Sequence, residues 1–259
     1  MLLKARKQLT LFFYGLSYFT RIPIPRSVDF DNDQFYKANA YLPIIGLIVA
    51  VVMIVVFYLS QLIFSTSISL ILMLMASLLL TGALHEDGFA DCCDGFGGGY
   101  DITQRLKIMK DSQIGTYGGI GLIFLFLFKF SILIELAEFG IVTLVIGLLV
   151  AHSLSRYIAL TIMQALDYVR LENGGKVQGL AKKLNRTYFV FASVCASLPL
   201  FLLPITTLLS VFFTVGLVSW LLFRMFRVNI EGYTGDCLGF AQQIVELSIL
   251  LLLTTGISV

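Results

Sequence analysis

Charge is scarce in this chain. Asp, Glu, Lys and Arg supply 13% of its 259 residues, where a soluble domain carries roughly 25%. Hydrophobic residues supply 58%, and the mean hydropathy is +0.91. An ordinary soluble domain is excluded. Alternating apolar and polar residues are also missing, which argues against a membrane β-barrel. The net charge of +2 is too small to argue for nucleic acid as a partner. Histidine occurs twice and cysteine four times, with no CxxC spacing. Neither a zinc knuckle nor a disulfide framework is expected. Cys92 and Cys93 are adjacent and pair only through a strained ring, so reduced thiols on a cytoplasmic face are expected. There is no GxxxxGK[ST] and no strand-borne GxGxxG. A nucleotide here must be held through its phosphates and a metal. The basic start MLLKARKQLT is followed by no small-residue cleavage site, so no removable signal peptide is expected.

What the chain has in quantity is long apolar runs. Seven stand out, at about 38–63, 66–84, 114–136, 139–165, 187–204, 207–224 and 241–258. An eighth, LFFYGLSYF at 11–19, is too short to span and is expected at the interface or as a re-entrant segment. The expected fold is all-α: a polytopic membrane helical bundle forming one domain. Its long polar segments are 1–37, 85–113, 166–186 and 225–240, and they carry the Lys and Arg. Arg21, Arg26 and Lys37 lie in the first, Lys110 in the second, Lys182 and Lys183 in the third, Arg227 in the fourth. The short connections carry none. The positive-inside rule then places every polar segment in the cytoplasm, with the N-terminus inside and the C-terminus outside.

The most informative polar segment reads HEDGFADCCDGFGGG at 85–99. Glu86, Asp87, Asp91 and Asp94 crowd into nine residues at the mouth of an apolar run. At about 100° per residue, Asp91 lies near +40° and Asp94 near −20° from Asp87, so the three share a helix face. Like charges so placed repel unless a cation sits among them. Oxygen ligands without a Cys or His cluster suit Mg²⁺ or Mn²⁺, and Mg²⁺ completes its shell with water and substrate phosphate. A pyrophosphate is the expected substrate group. The plainer reading is a solvated acidic loop that caps a helix, but capping needs one acid and not four. Gly95, Gly97, Gly98 and Gly99 are expected to break the helix.

Asp101 resembles an N-cap with Gln104 three residues on, opening a short amphipathic helix with Ile102, Leu106 and Met109 on one side. It ends in KDSQIGTYGG at 110–119, where Lys110 suits a phosphate and Asp111 is a further ligand or base candidate. In GYTGDCLGFAQQ at 232–243, Asp236 is a metal ligand, a general base, or an ordinary N-cap, and Thr234 a phosphate donor or cap. Lys129 and Arg156 are ionisable residues inside spans; Lys129 snorkels or pairs with Glu135, and Arg156 is functional or structural. His85 is a base, a ligand or a helix-end hydrogen-bonding group; His152 reads as structural. The third loop has no catalytic grammar; its basic residues suit topology and anionic headgroups.

Taken together, YFTRIPIP at 18–25, HEDGFADCCDGFGGG, MKDSQIGTYG at 109–118 and GYTGDCLGFAQQ resemble the cobalamin synthase family, the adenosylcobinamide-GDP ribazoletransferases. The resemblance spans nearly the whole chain in matching order. Gln113 departs from it, standing where the family more often carries Arg. It implies an Mg²⁺-dependent phosphoryl transfer joining adenosylcobinamide-GDP to α-ribazole, or its 5′-phosphate, with release of GMP. Under it, Glu86, Asp87, Asp91 and Asp94 hold metal; Asp91, Asp94, Asp236 and Lys110 do the chemistry. Arg21, His85, Ser112, Arg156, Tyr233 and Thr234 are expected to contact substrate. The implied setting is the cytoplasmic (inner) membrane of a bacterium or archaeon, the site facing the cytoplasm, the bilayer a partner and a homo-oligomer left open. CDP-alcohol phosphotransferases expect an Ala-Arg pair and a second acidic pair that are missing here. Membrane prenyltransferases expect a second Asp-rich loop. A cation transporter expects polar residues along a path through spans that read as nearly free of them.

Overall fold

The computed structural model describes residues 2–28, 31, 33–169 and 181–255, with side chains from Arg6 onward. Ten α-helices are present among them and no strand ladder. They are α1 (Leu2–Phe19), α2 (Leu42–Gln61), α3 (Thr66–Thr81), α4 (Leu84–Gly98) and α5 (Ile102–Lys110). The remainder are α6 (Thr116–Phe139), α7 (Ile141–Ala165), α8 (Arg186–Ser197), α9 (Ile205–Ile230) and α10 (Gly235–Leu253). The fold is an all-α polytopic membrane bundle. Its outer surface is apolar: Leu79, Phe124, Phe212 and Phe213 are all exposed. Such a surface is intolerable in water and natural in lipid.

Five helical segments are long and apolar enough to cross a membrane: Phe35–Gln61, α6, α7, α9 and α10. A sixth is counted if α3 and α4 form one broken span. Against about seven expected spans, the described residues offer five or six candidates by length and composition. Two stretches account for the difference. The run at 187–204 forms only the 12-residue α8 and a 3₁₀ turn at Leu198–Leu202, with Pro199 at its start. The run at 66–84 stops at Thr81, and α4 leaves α3 at 88°. Gly82 (φ +67°) and Ala83 (φ +58°) make that bend with two successive left-handed residues. Gly82 suits the conformation; Ala83 strains it. A Cβ at Gly82 would also lie 2.7 Å from Arg21 Nε.

α4 does not break at its glycines, contrary to expectation. It runs through Gly98, and the missing side chains make room for neighbours: Met109 at Gly95, Tyr117 at Gly97 and, at the C-cap, Arg105 at Gly99. The expected amphipathic helix is α5. Asp101 Oδ1 accepts from Gln104 N at 2.9 Å, and Gln104 Oε1 accepts from Tyr100 N at 3.0 Å. Arg105 ties α5 to the end of α9 by donating to the Asn229 carbonyl at 3.0 Å. α1 reaches further back than the apolar run at 11–19. It buries Leu11, Tyr14 and Leu16 and is not among the span candidates.

α7 and α10 form the centre, with α2 and α4 packed on them. Gly46 of α2 sets one contact: a Cβ there would be 2.2 Å from the His152 carbonyl and 2.9 Å from Arg156 Cδ. Near the bundle end the chain ties two distant loops together. Val169 N donates to Tyr233 O at 2.9 Å, and Tyr233 N to Asp167 O at 3.0 Å. Residues 170–180 of the third polar loop, including Arg170 and Lys176, lie outside the described residues.

A Gly46→Val variant cannot keep the α2–α7 approach. Overpacking typically costs about 1–3 kcal/mol. We expect a lowered apparent melting temperature in detergent and loss of the monodisperse peak in size-exclusion chromatography; wild-type behaviour in both would contradict the packing.

Candidate active site

A cavity of ≈ 330 Å³ opens at the bundle end where α4, α5 and α7 meet the start of α10. It is lined by residues from every polar motif. His85 and Asp87 come from α4, Lys110 from α5, Arg156 from α7, and Tyr233, Thr234 and Asp236 from the start of α10. Apolar residues such as Phe19, Leu42 and Met163 line it as well.

Close backbone approach of α4 and α10 brings the acids together. A Cβ at Gly88 would lie 2.8 Å from Asp236 Cα, and one at Gly239 would lie 2.9 Å from the His85 carbonyl. Phe89 stacks on Phe240 with centroids 5.1 Å apart. The Cys92 and Cys237 thiols touch at 3.9 Å, directly behind Asp91 and Asp236 in the chain. None of the four cysteines is paired in a disulfide.

Thr234, not Asp236, is the N-cap of α10, accepting from Cys237 N at 3.3 Å. Asp236 stands in the first turn, where the helix dipole favours an anion. Asp91 titrates abnormally. Burial first, then the Asp236, Asp87 and Asp94 charges, push its carboxyl from 3.8 up to about 7. Burial, and then the nearby Arg156 guanidinium, hold His85 well below its ordinary 6.5, so its imidazole is neutral.

The four acids of α4 do not act as one set. Asp94 caps α6: Oδ2 accepts from Gly115 N at 2.7 Å and Oδ1 from Gly118 N at 2.8 Å. A Cβ at Gly115 or Gly118 would come within 2.4 or 2.3 Å of that carboxylate, which explains two glycines of the GTYGG run; Gly119 faces open space. Glu86 turns inward, and its Oε1 accepts from Gln243 Nε2 at 2.9 Å. Among the described residues, no three His, Cys, Asp or Glu side chains are grouped to hold a metal by themselves. Of the four acids expected to hold one or two ions, Glu86, Asp87, Asp91 and Asp94, two have protein partners of their own. The shared helix face is formed, but Asp94 is spent on backbone amides and Glu86 points into the core.

Arg21, Ser112 and Asp111 do not line the cavity. Arg21 lies over Gly82 at the α3–α4 bend. Ser112 is exposed in the turn before α6, and Asp111 Oδ1 accepts from Gln113 N at 3.1 Å within that turn.

Beneath the cavity lies a network that the sequence reading missed. Glu246, 3% exposed in α10, meets Lys129 Nζ of α6 at 2.6 Å. Lys129 also donates to Gln243, and Gln242 to Glu246. His152 Nδ1 and Arg156 Nη1 lie 3.4 and 4.0 Å from Glu246 Oε2. Lys129 therefore pairs with Glu246 and not with Glu135, which is exposed. The spans are not nearly free of polar groups. The available signal was Glu246 itself, an acid inside an apolar run, three and four residues past Gln243 and Gln242.

The family description of cobalamin-5-phosphate synthase matches residues 11–254. The chain belongs to that family. Among its curated relatives, the adenosylcobinamide-GDP ribazoletransferase of Shewanella frigidimarina is 41% identical over 99% of this chain and 98% of its own. The proteins of that name from Shewanella amazonensis and Shewanella woodyi are 38% and 39% identical, each over 96% of both chains. No solved structure matches. Cobalamin synthases are thus the frame in which the cavity is read.

Two predictions follow from the acids. Asp94→Ala removes two amide acceptors at the start of α6 and should cost about 1–2 kcal/mol, seen as a lower melting temperature. For Asp91 the folded value of about 7 exceeds the ordinary 3.8, so its ionisation opposes folding. The penalty is full above about pH 7 and lifts as pH falls through that value. In EDTA, the wild type should gain thermal stability on moving from about pH 8 to about pH 6 relative to Asp91→Asn. Parallel curves would show that the acids are not crowded.

Proposed function

We propose that the chain joins adenosylcobinamide-GDP to α-ribazole, or to its 5′-phosphate, and releases GMP, completing cobalamin assembly. The full-length similarity to relatives bearing that name carries the reading. The cavity suits it, since acids, a lysine and an arginine from four separate motifs meet there.

The reaction is a phosphoryl transfer. A ribose hydroxyl of the ribazole attacks the phosphorus on the cobinamide side. The new O–P bond forms as the P–O bond to GMP breaks, and GMP leaves with the electron pair. Asp236 accepts the hydroxyl proton. Lys110, at the cavity wall, offsets phosphate charge. Mg²⁺ fits the site: Asp87 and Asp91 lie one helical turn apart, and one or two carboxylates with water and phosphate oxygens make its usual shell. Burial first, and then the charges of Asp236, Asp87 and Asp94, raise the Asp91 carboxyl, and a nearby cation would offset that charge. When bound, the ion supplies charge stabilisation on the pyrophosphate. Asp94 keeps a supporting role, fixing the start of α6 beside them.

The polar segments 1–37, 85–113, 166–186 and 225–240 face the cytoplasm in this reading, because they hold the Lys and Arg. The protein then sits in the cytoplasmic membrane with its cavity open to soluble substrates.

The test is GMP release by purified protein in detergent and lipid, given both substrates with Mg²⁺ or EDTA. Release should need both substrates and the ion. Asp236→Asn should lower kcat by about a hundredfold or more, and Asp91→Asn should abolish turnover with the fold intact. Full activity in EDTA would remove the metal from the mechanism.

A further inference from the structure

We propose that Glu246 is a positioning residue that holds the Arg156 guanidinium at the cavity floor, where Arg156 recognises a substrate phosphate. The inference rests on the transferase reading above and names a recognition element within it.

Arg156 is 2% exposed yet lines the cavity. Its contacts do not use up its donors. Nη1 donates to the His152 carbonyl at 3.1 Å and faces His152 Nδ1 at 3.1 Å, while Nε has no partner. His152 Nδ1 sits between Arg156 Nη1 at 3.1 Å and Glu246 Oε2 at 3.4 Å, and its Nε2 is buried without a partner. His152 orients Arg156 without neutralising it. The counter-charge is Glu246 Oε2 at 4.0 Å. That separation is a charge contact and not a hydrogen bond.

The position is built from several sides. Gly46 of α2 leaves space against Arg156 Cδ, where a Cβ would come within 2.9 Å. Gln242 lines the cavity beside Arg156, donating to Ser155 Oγ at 3.2 Å and also to Glu246. Gln243 carries the network on to Glu86, the neighbour of Asp87. An ion network inside a membrane bundle is a poor source of stability, because desolvation offsets the attraction. Such groups persist where they have a task. Here the shared carboxylate keeps a cation at a cavity that Asp87 and Asp236 also line. An arginine presents a planar fork that matches phosphate oxygens.

The phosphate belongs either to the GDP of the donor or to ribazole 5′-phosphate, and the experiment separates them. Glu246→Leu alone leaves Lys129 buried and unpaired, so it is made with Lys129→Met, an apolar replacement of the pair that such sites tolerate. Lys129→Met alone is the reference. Adding Glu246→Leu should raise KM about tenfold or more for a phosphate-bearing substrate, with kcat changing less than about threefold. Arg156→Gln added to that pair should raise KM no further, since both substitutions remove one function. A rise for ribazole 5′-phosphate but not ribazole assigns the acceptor; a rise for adenosylcobinamide-GDP assigns the donor. An unchanged KM, an equal rise for unphosphorylated ribazole, or effects of Glu246 and Arg156 that multiply would overturn the inference. Thermal protection by inorganic pyrophosphate reads the same contact without turnover. It should be present in Lys129→Met and lost with Glu246→Leu, and its persistence would also overturn the inference. Absence of GMP release from wild type, with that protection pattern intact, would sink the transferase reading alone.

Discussion

One buried carboxylate organises the molecule. Glu246 draws Lys129 from α6 and His152 and Arg156 from α7 onto α10, far from water. A lone ion there would be prohibitively costly, so each helix must bring its partner to the same depth and angle. That requirement fixes the relative register of three spans. Gln243 extends it to α4 through Glu86. The acids that face the cavity stand on elements whose positions this junction has already set.

Above it, the functional end depends on how closely two helices can approach. Gly88 and Gly239 let α4 and α10 meet backbone to backbone. Two short motifs, far apart in the chain, therefore deliver Asp87, Asp91 and Asp236 to one region. The same helix face also supplies Asp94, whose carboxylate holds the start of α6. One acidic motif thus does two jobs: it builds the wall of the site and furnishes its charge.

The fold class was legible because hydropathy is a sum, and sums over twenty residues are robust. Where helices end was not, because that turns on local geometry. Two left-handed residues at Gly82 and Ala83 end α3, and Pro199 sits in a 3₁₀ turn; neither changes the apolar total. The capping by Asp101 was legible, since its partners lie within four residues. The hydrogen bonding of Asp94 was not, since its partners, Gly115 and Gly118, lie more than twenty residues away. Glu246 went unread for the opposite reason: a single acid barely dents the hydropathy of its run. The motifs that converge on the cavity were each visible, but their convergence is a property of packing.

The bridge between Val169 and Tyr233 has a meaning beyond local order. It joins the chain where it leaves α7 to the chain where it enters α10, so α8 and α9 form an excursion whose two ends are clasped. Backbone bonds at its base oppose the entropy of that long detour. The cavity takes its walls from helices before and after the excursion, not from α8 or α9. In architectural terms the pair is an annex: α8 leans on α2 and α7, α9 leans on α5 and α10, and the room they adjoin takes none of its lining from them.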